Sequence, residues 1–139
     1  MPLILNECDT GWLAGLIDGE GCLCLNKHKD KHSRAGYSMV PTLQITNNCL
    51  PLLQRVRETI GAGSIHRQHN SFNYALTSSE RLFEVLIQVK PFLIVKQKQA
   101  EILLKAHALN QQHYHGHTPH KERLLTLHGI MRGLNGKKV

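Results

Sequence analysis

With 139 residues and a hydrophobic content of 41%, the chain is long and apolar enough to form a folded domain with a core. This composition argues against a disordered chain. Its net charge of +7 at pH 7 fits a soluble basic protein or, more specifically, a protein with a polyanionic partner.

Cysteine usage and hydropathy bear on the compartment. The four cysteines include no C-x-x-C pair, which argues against a zinc knuckle or a redox motif and fits thiols in a reducing compartment. No apolar run approaches the length of a membrane span, and residues 1–5 lack the basic flank of a signal peptide. We therefore expect an intracellular protein with no membrane partner, in an organelle or in a prokaryotic cytoplasm.

The first predicted helix has an unusual local pattern. Asn6 can cap this helix, which ends at Gly19 or Gly21. Gly15 lies inside its apolar run, where glycine costs about 1 kcal/mol relative to alanine. Close approach of another backbone is the usual reason for such a glycine. Glu20, set between two glycines, can present an exposed carboxylate at the helix end, although a lone acid there is more often a solvated cap.

Two alternating segments follow and predict an antiparallel hairpin. They are residues 22–29 and 37–47, joined by the polar loop 30–36. In the second segment, apolar residues alternate with polar ones, as in a half-buried strand. Pro41 cannot donate to a strand ladder, so we expect the second strand to lie at an edge or to bulge there.

A second helix and a second hairpin come next. The helix covers residues 50–60 and can be capped by Asn47 or Asn48. Residues 64–69 and 72–77 then form two strands around an Asn70-Ser71 turn.

Three more helices are expected in the C-terminal half. One begins after Ser78 or Ser79 and ends at Pro91, and the next runs from about residue 95 to residue 110. A polar loop, residues 110–120, separates these from a last helix over residues 121–135, for which Thr118-Pro119 supplies the cap and the first turn.

The resulting order α-β-β-α-β-β-α-α-α predicts an α+β fold, with residues 1–139 as a single domain. The two hairpins form a four-stranded antiparallel sheet with helices on one face. The other face carries mainly hydrogen-bonding side chains, namely Asn26, His28, Ser38, Thr42, Gln44, Thr46, His66 and Gln68. Basic residues lie nearby, including Arg34 in the hairpin loop. A β-ribbon with such side chains can read base edges in the major groove, which we favour over a plain solvated face because the pattern recurs along the sheet.

Two segments resemble one known family. Residues 13–21, LAGLIDGEG, resemble the LAGLIDADG motif of homing endonucleases and intron maturases, with Glu20 in place of the more common aspartate. Residues 90–105, KPFLIVKQKQAEILLK, resemble the single-motif, homodimeric branch of that family. The resemblance implies the α-β-β-α-β-β-α order with a saddle-shaped sheet that lies along the DNA major groove.

The motif occurs only once in the sequence. Because cutting a duplex requires a site for each strand, one acidic site per chain implies a symmetric homodimer with two copies of helix 11–18 packed at the two-fold axis. The residues expected at this interface are Trp12, Leu13, Ala14, Gly15 and Leu16.

The resemblance implies a Mg²⁺-dependent, site-specific double-strand DNA endonuclease, encoded by an intron, with a long and partly palindromic target. Glu20 of each subunit, with the backbone carbonyl of Gly19, would hold roughly two or three divalent ions shared across the dimer, and cleavage would leave short 3′ overhangs. Asn47 falls where the family places a polar residue that positions water, and Lys96 where it places a basic residue near the scissile phosphate. Lys98 is the alternative residue for this basic role and is otherwise expected to contact DNA.

The resemblance gives Asp18, at the end of the motif helix, a structural role related to capping and no catalytic one.

The sequence also fits other functions and other roles for single residues. The same family resemblance fits an RNA-binding maturase that acts on intron RNA, or a DNA-binding module without catalytic activity. By default Asn47 is a helix cap and Lys96 a surface lysine. The cluster His113, His115, His117 and His120 has spacings that could ligate zinc, but its composition favours a polar loop or phosphate contacts.

Overall fold

The computed structural model describes residues 1–32, 36–77, 79–112 and 119–136. Its elements follow the predicted order, with a short 3-10 helix, Lys90–Phe92, between the third and fourth helices. The α-helices are α1 (Glu7–Glu20), α2 (Leu50–Ile60), α3 (Glu80–Val89), α4 (Gln97–Gln112) and α5 (Pro119–Leu134). The strands are β1 (Gly21–Lys29), β2 (Tyr37–Asn47), β3 (Ser64–Gln68) and β4 (Ser71–Thr77). Within the described ranges, no helix is both long and apolar enough to cross a membrane.

The strands form one antiparallel sheet in the order β1-β2-β4-β3, so the two hairpins meet through β2 and β4. Residues 21–29 pair without interruption with residues 37–45, whereas β4 pairs only with residues 42–47 of β2. The prediction that Pro41 marks a sheet edge or a bulge is therefore wrong for β2 as a whole. Among the described residues Pro41 pairs only with Leu25 of β1, because β4 meets β2 from Thr42 onward, so no described strand needs a hydrogen bond from the missing N–H.

The hydrophobic core lies between one face of the sheet and the helices. Leu43 of β2 is fully buried there, as are Leu13 and Ile17 on the inner side of α1. Burying a side chain of this size contributes about 1.5–3 kcal/mol. Leu124 and Met131 of α5 belong to the same core, so all five α-helices pack onto it. The predicted α+β class with a four-stranded antiparallel sheet is confirmed.

The connection between α2 and β3 depends on two left-handed glycines. Gly61 ends α2 with φ +81°, and Gly63 follows with φ +104°. A Cβ atom on Gly63 would lie 2.5 Å from the ring of Tyr74, whose hydroxyl donates a 2.7 Å hydrogen bond to the carbonyl of Ala62. Burial raises the pKa of the Tyr74 hydroxyl well above its usual range, a shift that the positive charge of Arg57 partly opposes. The hydroxyl therefore stays protonated, donates to the carbonyl of Ala62 and holds the turn against the Tyr74 ring.

Two local predictions need correction. The N-cap of α2 is Cys49, without a side-chain cap bond, rather than Asn47 or Asn48. The turn of the second hairpin consists of His69 and Asn70, and Ser71 already belongs to β4. His69 has φ +53°, a left-handed conformation that histidine adopts more readily than most residues.

Two predicted helix caps, Asn6 and Ser79, are confirmed. The side chain of Asn6 accepts a 2.7 Å hydrogen bond from the backbone N–H of Asp9, and Ser79 accepts one of 3.2 Å from Leu82. Ser78 lies outside the described residues, as do residues 113–118, which include Thr118 and three of the four clustered histidines.

Candidate active site

The acidic end of α1 meets the end of β2. Glu20 is the last residue of α1 and is exposed, and Gly21 changes the chain to an extended conformation that begins β1. A Cβ atom on Gly21 would lie 2.9 Å from the backbone of Ile17, so only glycine permits the chain to leave the helix here. This lack of room for a Cβ atom accounts for the last glycine of the LAGLIDGEG segment and for the end of α1 at Glu20.

Asn47, the last residue of β2, holds that carboxylate. Its Nδ2 atom donates a 2.6 Å hydrogen bond to Oε2 of Glu20. Its Oδ1 atom accepts a 2.8 Å hydrogen bond from the backbone N–H of Cys49, just before α2. The amide is therefore held on both sides, and its donor end is directed at Glu20.

Asp18 joins α1 to the start of α4. Its carboxylate accepts hydrogen bonds from the backbone N–H groups of Ile94, Val95 and Lys96, at 2.7, 3.1 and 3.0 Å. These N–H groups precede α4, where no helical carbonyl can satisfy them. The capping role expected for Asp18 is thus present, and the capped helix is α4 rather than α1 itself.

Lys96 lies at the same end of α1. Its Nζ atom donates a 2.7 Å hydrogen bond to the backbone carbonyl of Asp18. The last turn of α1 contains no basic residue, so Lys96 supplies the cation that favours the negative end of this helix dipole. The structure therefore places Lys96 beside the helix turn that ends in Glu20.

The oxygen atoms at this helix end suit a hard divalent cation. Gly19 lies in the last turn of α1, where carbonyl groups lack intrahelical partners, and Glu20 adds a carboxylate. Within the part of the chain that the structure describes, no group of three or more His, Cys, Asp or Glu side chains could hold a metal ion. A cation held by Glu20 would therefore need further oxygen ligands from water, phosphate or a second chain.

The strand register shows which side chains share the polar face of the sheet. Residues Asn26, His28, Ser38, Gln44, Thr46, His66 and Gln68 lie on the face opposite the core. Asn73 of β4 lies between Thr46 and His66 on this face and accepts a 3.0 Å hydrogen bond from the Thr46 hydroxyl. Sequence reasoning missed Asn73, although the alternation of residues 71–77 carried the signal.

Three of the predicted DNA contacts differ from their neighbours. Thr42 points to the polar face but is only 1% exposed, because β1 and β4 flank it on both sides, and it accepts a 3.2 Å hydrogen bond from Asn26. Its prediction as a DNA contact is wrong for the side chain as placed. Lys98 is exposed in the first turn of α4 and so does not belong to the sheet, and Arg34 lies outside the described residues.

The outer side of α1 differs from the prediction in one respect. Leu13 and Ala14 are 0% and 2% exposed because they pack into the core of their own chain, so their assignment to a dimer interface is wrong. The outer side instead presents Gly11, Gly15 and Gly19, spaced one turn apart, with Trp12 and Leu16 half-buried beside them. A Cβ atom on any of the three glycines would meet no atom within 4 Å.

Comparison with known proteins gives a family. The family model described as LAGLIDADG endonuclease matches residues 13–107. The DNA endonuclease I-CreI of Chlamydomonas reinhardtii is 29% identical over 96 residues, which cover 68% of this chain and 59% of I-CreI. A probable intron-encoded endonuclease, Cox1-I1b of Schizosaccharomyces pombe, is 28% identical over 93 residues, which cover 64% of this chain and 24% of that protein. The matched part of the chain thus spans less than two thirds of either relative.

Among solved structures, the homing endonuclease I-CvuI in complex with the I-CreI target in the presence of Mg has the same fold. The superposition has a TM-score of 0.86 at 18% identity and covers 96% of this chain and 87% of I-CvuI. The likeness therefore extends beyond the matched motif region to α5.

Proposed function

Because the chain belongs to the LAGLIDADG endonuclease family, we propose that it is a metal-dependent, site-specific DNA endonuclease that acts as a homodimer. The observation that carries this proposal is the grouping at the end of α1. The exposed carboxylate of Glu20 bonds to Asn47, and Lys96 is held on the same helix end by Asp18. An acid, an amide and a cation from three separate elements thus meet where the motif ends.

Each of these groups has a task in phosphodiester hydrolysis. Glu20 and the carbonyl of Gly19 would hold Mg²⁺, which when bound activates water and neutralises charge on the phosphate. Asn47 fixes the Glu20 carboxylate and can orient water beside it. Lys96 places a positive charge near the phosphate at which negative charge develops in the transition state. Support for a divalent ion at the site also comes from I-CvuI, which was solved with the I-CreI target in the presence of Mg and with that DNA not cleaved.

A homodimer would supply the second carboxylate site that a single chain lacks. One motif gives one carboxylate site per chain, and a duplex has two strands to cut. The three glycines on the outer side of α1 would let a second copy of the helix approach closely. The two Glu20 carboxylates would then lie near each other and share roughly two or three divalent ions. A two-fold symmetric enzyme predicts a partly palindromic target and staggered cuts with short 3′ overhangs.

The polar sheet face would contact the major groove. Its side chains are amides, hydroxyls and imidazoles, which can both donate and accept hydrogen bonds to base edges. The net charge of +7 favours a polyanion. Lys98 and the other exposed cations add phosphate contacts that position the duplex without reading its sequence. The name of the Schizosaccharomyces pombe relative supports an intron as the genetic origin.

A target is needed to test the proposal, and the inactive variant can supply it. Glu20→Gln keeps the side-chain shape but removes the charge that a metal requires, so this protein should bind duplex DNA without cutting it. Duplexes selected by this variant from a randomised library are then offered to the wild-type protein with Mg²⁺ and with EDTA. We expect wild type to cut both strands with Mg²⁺ only.

Two results would contradict the proposal. Selective binding by wild type without cleavage in Mg²⁺ or Mn²⁺ would identify a DNA-binding module. Binding to intron RNA without selection of any duplex would identify a maturase.

A further inference from the structure

Two cysteines near the candidate active site form a close pair. Cys22 and Cys24 alternate along β1, so both side chains point to the polar face of the sheet. Their Sγ atoms are 3.2 Å apart, and neither residue is in a disulfide. Both side chains are half-buried, so solvent reaches them. This face therefore carries a dithiol that the proposed hydrolysis does not use.

The strand geometry favours a ligand between the sulfur atoms over a bond joining them. A disulfide requires a sulfur separation of about 2.05 Å and a Cα separation below about 6.8 Å. Alternate residues of a strand are already about 6.6–6.8 Å apart, so closing the bond would strain β1. Two thiolates on a tetrahedral metal ion, each about 2.3 Å from it, are about 3.8 Å apart. The observed pair needs to open by only about 0.6 Å to reach that arrangement.

We propose that Cys22 and Cys24 form a two-thiolate site for a soft divalent metal ion of the Zn²⁺ and Cd²⁺ class, with solvent completing its coordination. Thiolates select such ions, whereas the oxygen ligands of Glu20 and Gly19 select Mg²⁺. The two sites are therefore chemically distinct although Cys22 follows Glu20 by two residues.

Occupancy of this site would have a consequence for DNA. Cys22 lies opposite Gln44 and Cys24 opposite Thr42, within the face that would enter the major groove. An ion and its bound water on this face would occupy the space of a base edge, so metal and DNA should exclude each other. The mutual exclusion of metal and DNA rests on the proposed function, whereas the metal site itself does not.

The metal site can be tested on the full-length chain with two matched double variants. Cys8→Ser/Cys49→Ser removes the two exposed cysteines and keeps the pair, and Cys22→Ser/Cys24→Ser does the reverse. Titration with Cd²⁺ is followed by the ultraviolet thiolate-to-metal charge-transfer band. We expect one Cd²⁺ per chain in the first variant, with half-saturation at a concentration at least about tenfold lower than in the second, because the second thiolate binds intramolecularly.

Several results would overturn this site. Equal Cd²⁺ affinity per thiol in both variants would mean that the close pair does not chelate. Formation of a Cys22–Cys24 disulfide by oxidised glutathione, with no Cd²⁺ band from the reduced protein, would replace the metal site by an oxidation pair. If Cys22→Ser/Cys24→Ser fails to fold by circular dichroism, the single variants Cys22→Ser and Cys24→Ser in the Cys8→Ser/Cys49→Ser background serve instead, and each should reach half-saturation at a Cd²⁺ concentration at least about tenfold higher than the intact pair.

The DNA step has its own experiment. A selected duplex, bound in Ca²⁺ without cleavage, should lower the Cd²⁺ band of Cys8→Ser/Cys49→Ser, and Cd²⁺ should weaken its DNA binding at least about tenfold relative to Cys22→Ser/Cys24→Ser. Unchanged DNA binding with Cd²⁺ bound would refute the exclusion while leaving the metal site. Failure to bind any duplex without Cd²⁺ would instead contradict the proposed function.

Discussion

Asp18 and Lys96 are joined by two reciprocal hydrogen bonds between side chain and backbone. The Asp18 carboxylate accepts a hydrogen bond from the backbone N–H of Lys96 at 3.0 Å, and the Lys96 ammonium donates one to the Asp18 carbonyl at 2.7 Å. Since the side chain of each residue binds the backbone of the other, the start of α4 cannot shift without moving the end of α1. The position of the cation is thereby tied to the helix that carries Glu20.

Replacing Asp18 should therefore affect both stability and catalysis. Asp18→Ala leaves three backbone N–H groups before α4 without their acceptor. We expect a loss of about 1–2 kcal/mol in the free energy of unfolding, measured by urea denaturation, as for other lost helix caps. The cleavage rate should also fall, because the backbone N–H of Lys96 loses its acceptor and only the bond from the Lys96 ammonium to the carbonyl of residue 18 still holds this side chain.

Asp18→Asn is the control for this prediction. It keeps one acceptor oxygen, which can serve Val95 and Lys96, but its NH₂ group cannot accept from Ile94, so it should recover part of the stability. Wild-type stability in Asp18→Ala would contradict the capping role. A wild-type cleavage rate in a variant with the expected loss of stability would show that Lys96 needs no such support.

Asn47 should act through Glu20. Asn47→Ala removes the donor that lies 2.6 Å from the Glu20 carboxylate, which then rotates more freely. The loss in cleavage rate should be about tenfold to a hundredfold, the range found when a group that orients a metal ligand is removed. Target affinity measured in Ca²⁺ should change little, because Asn47 lies at the end of β2 rather than along the polar face.

A double-mutant cycle separates this role from a direct one. If Asn47 works through Glu20, then Asn47→Ala should add little further loss to Glu20→Asp, whose shorter side chain has already withdrawn the carboxylate from Asn47, in single-turnover cleavage. Additive losses would indicate that Asn47 acts independently, for instance on water alone. The Mg²⁺ concentration for half-maximal rate should also rise in Asn47→Ala, which a purely structural role would not cause.

The sequence predicted the elements well but not which residues they expose. Residues 37–47 and 50–60 were bounded correctly because alternation, helical spacing and Gly61 all mark them. Leu13 and Ala14 were assigned to an interface because the apolar stripe of α1 does not reveal which side faces its own sheet. The burial of Thr42 depends on strand order, which neither composition nor alternation determines.

The turn between α2 and β3 should tolerate no side chain at Gly63. Gly63→Ala would place a Cβ atom 2.5 Å from the Tyr74 ring in addition to the strain of φ +104°. We expect a loss of about 2–4 kcal/mol in the free energy of unfolding, combining backbone strain with overpacking. Gly61→Ala is a matched control, since Gly61 has φ +81° but open space around it, and it should lose only about 1–2 kcal/mol.

Equal losses of unfolding free energy in these two variants would show that backbone strain alone determines the destabilisation and that the Tyr74 ring moves aside. Tyr74→Phe should lose about 1 kcal/mol, because it removes the hydrogen bond to Ala62 and leaves the ring in place.

Asn73 and Thr42 should differ in their effect on DNA recognition. Asn73→Ala removes a half-exposed amide from the polar face and should relax the preference at one base position of each half-site by about 1–3 kcal/mol. Thr42→Ser keeps the hydroxyl that bonds Asn26 and changes a side chain that is only 1% exposed, so the base preference should not change. Binding to a library of single-base variants of the selected target measures both. A changed preference in Thr42→Ser, or none in Asn73→Ala, would contradict the assignment of this face.

The glycines on the outer side of α1 provide the test of dimerisation. Gly15→Leu should leave the fold intact, because a Cβ atom there meets no atom within 4 Å and leucine forms helix better than glycine. It should nevertheless dissociate the dimer, since two helices that approach at glycine have no room for the larger side chain. Gly129→Leu on α5 is the matched control, because Gly129 is also exposed and helical with open space around it. Sedimentation velocity should show a folded monomer for Gly15→Leu and a dimer for Gly129→Leu and wild type, and cleavage of both strands should be lost in the monomer alone. A stable dimer in Gly15→Leu would place the interface elsewhere and separate the pairing of chains from the helix that carries Glu20.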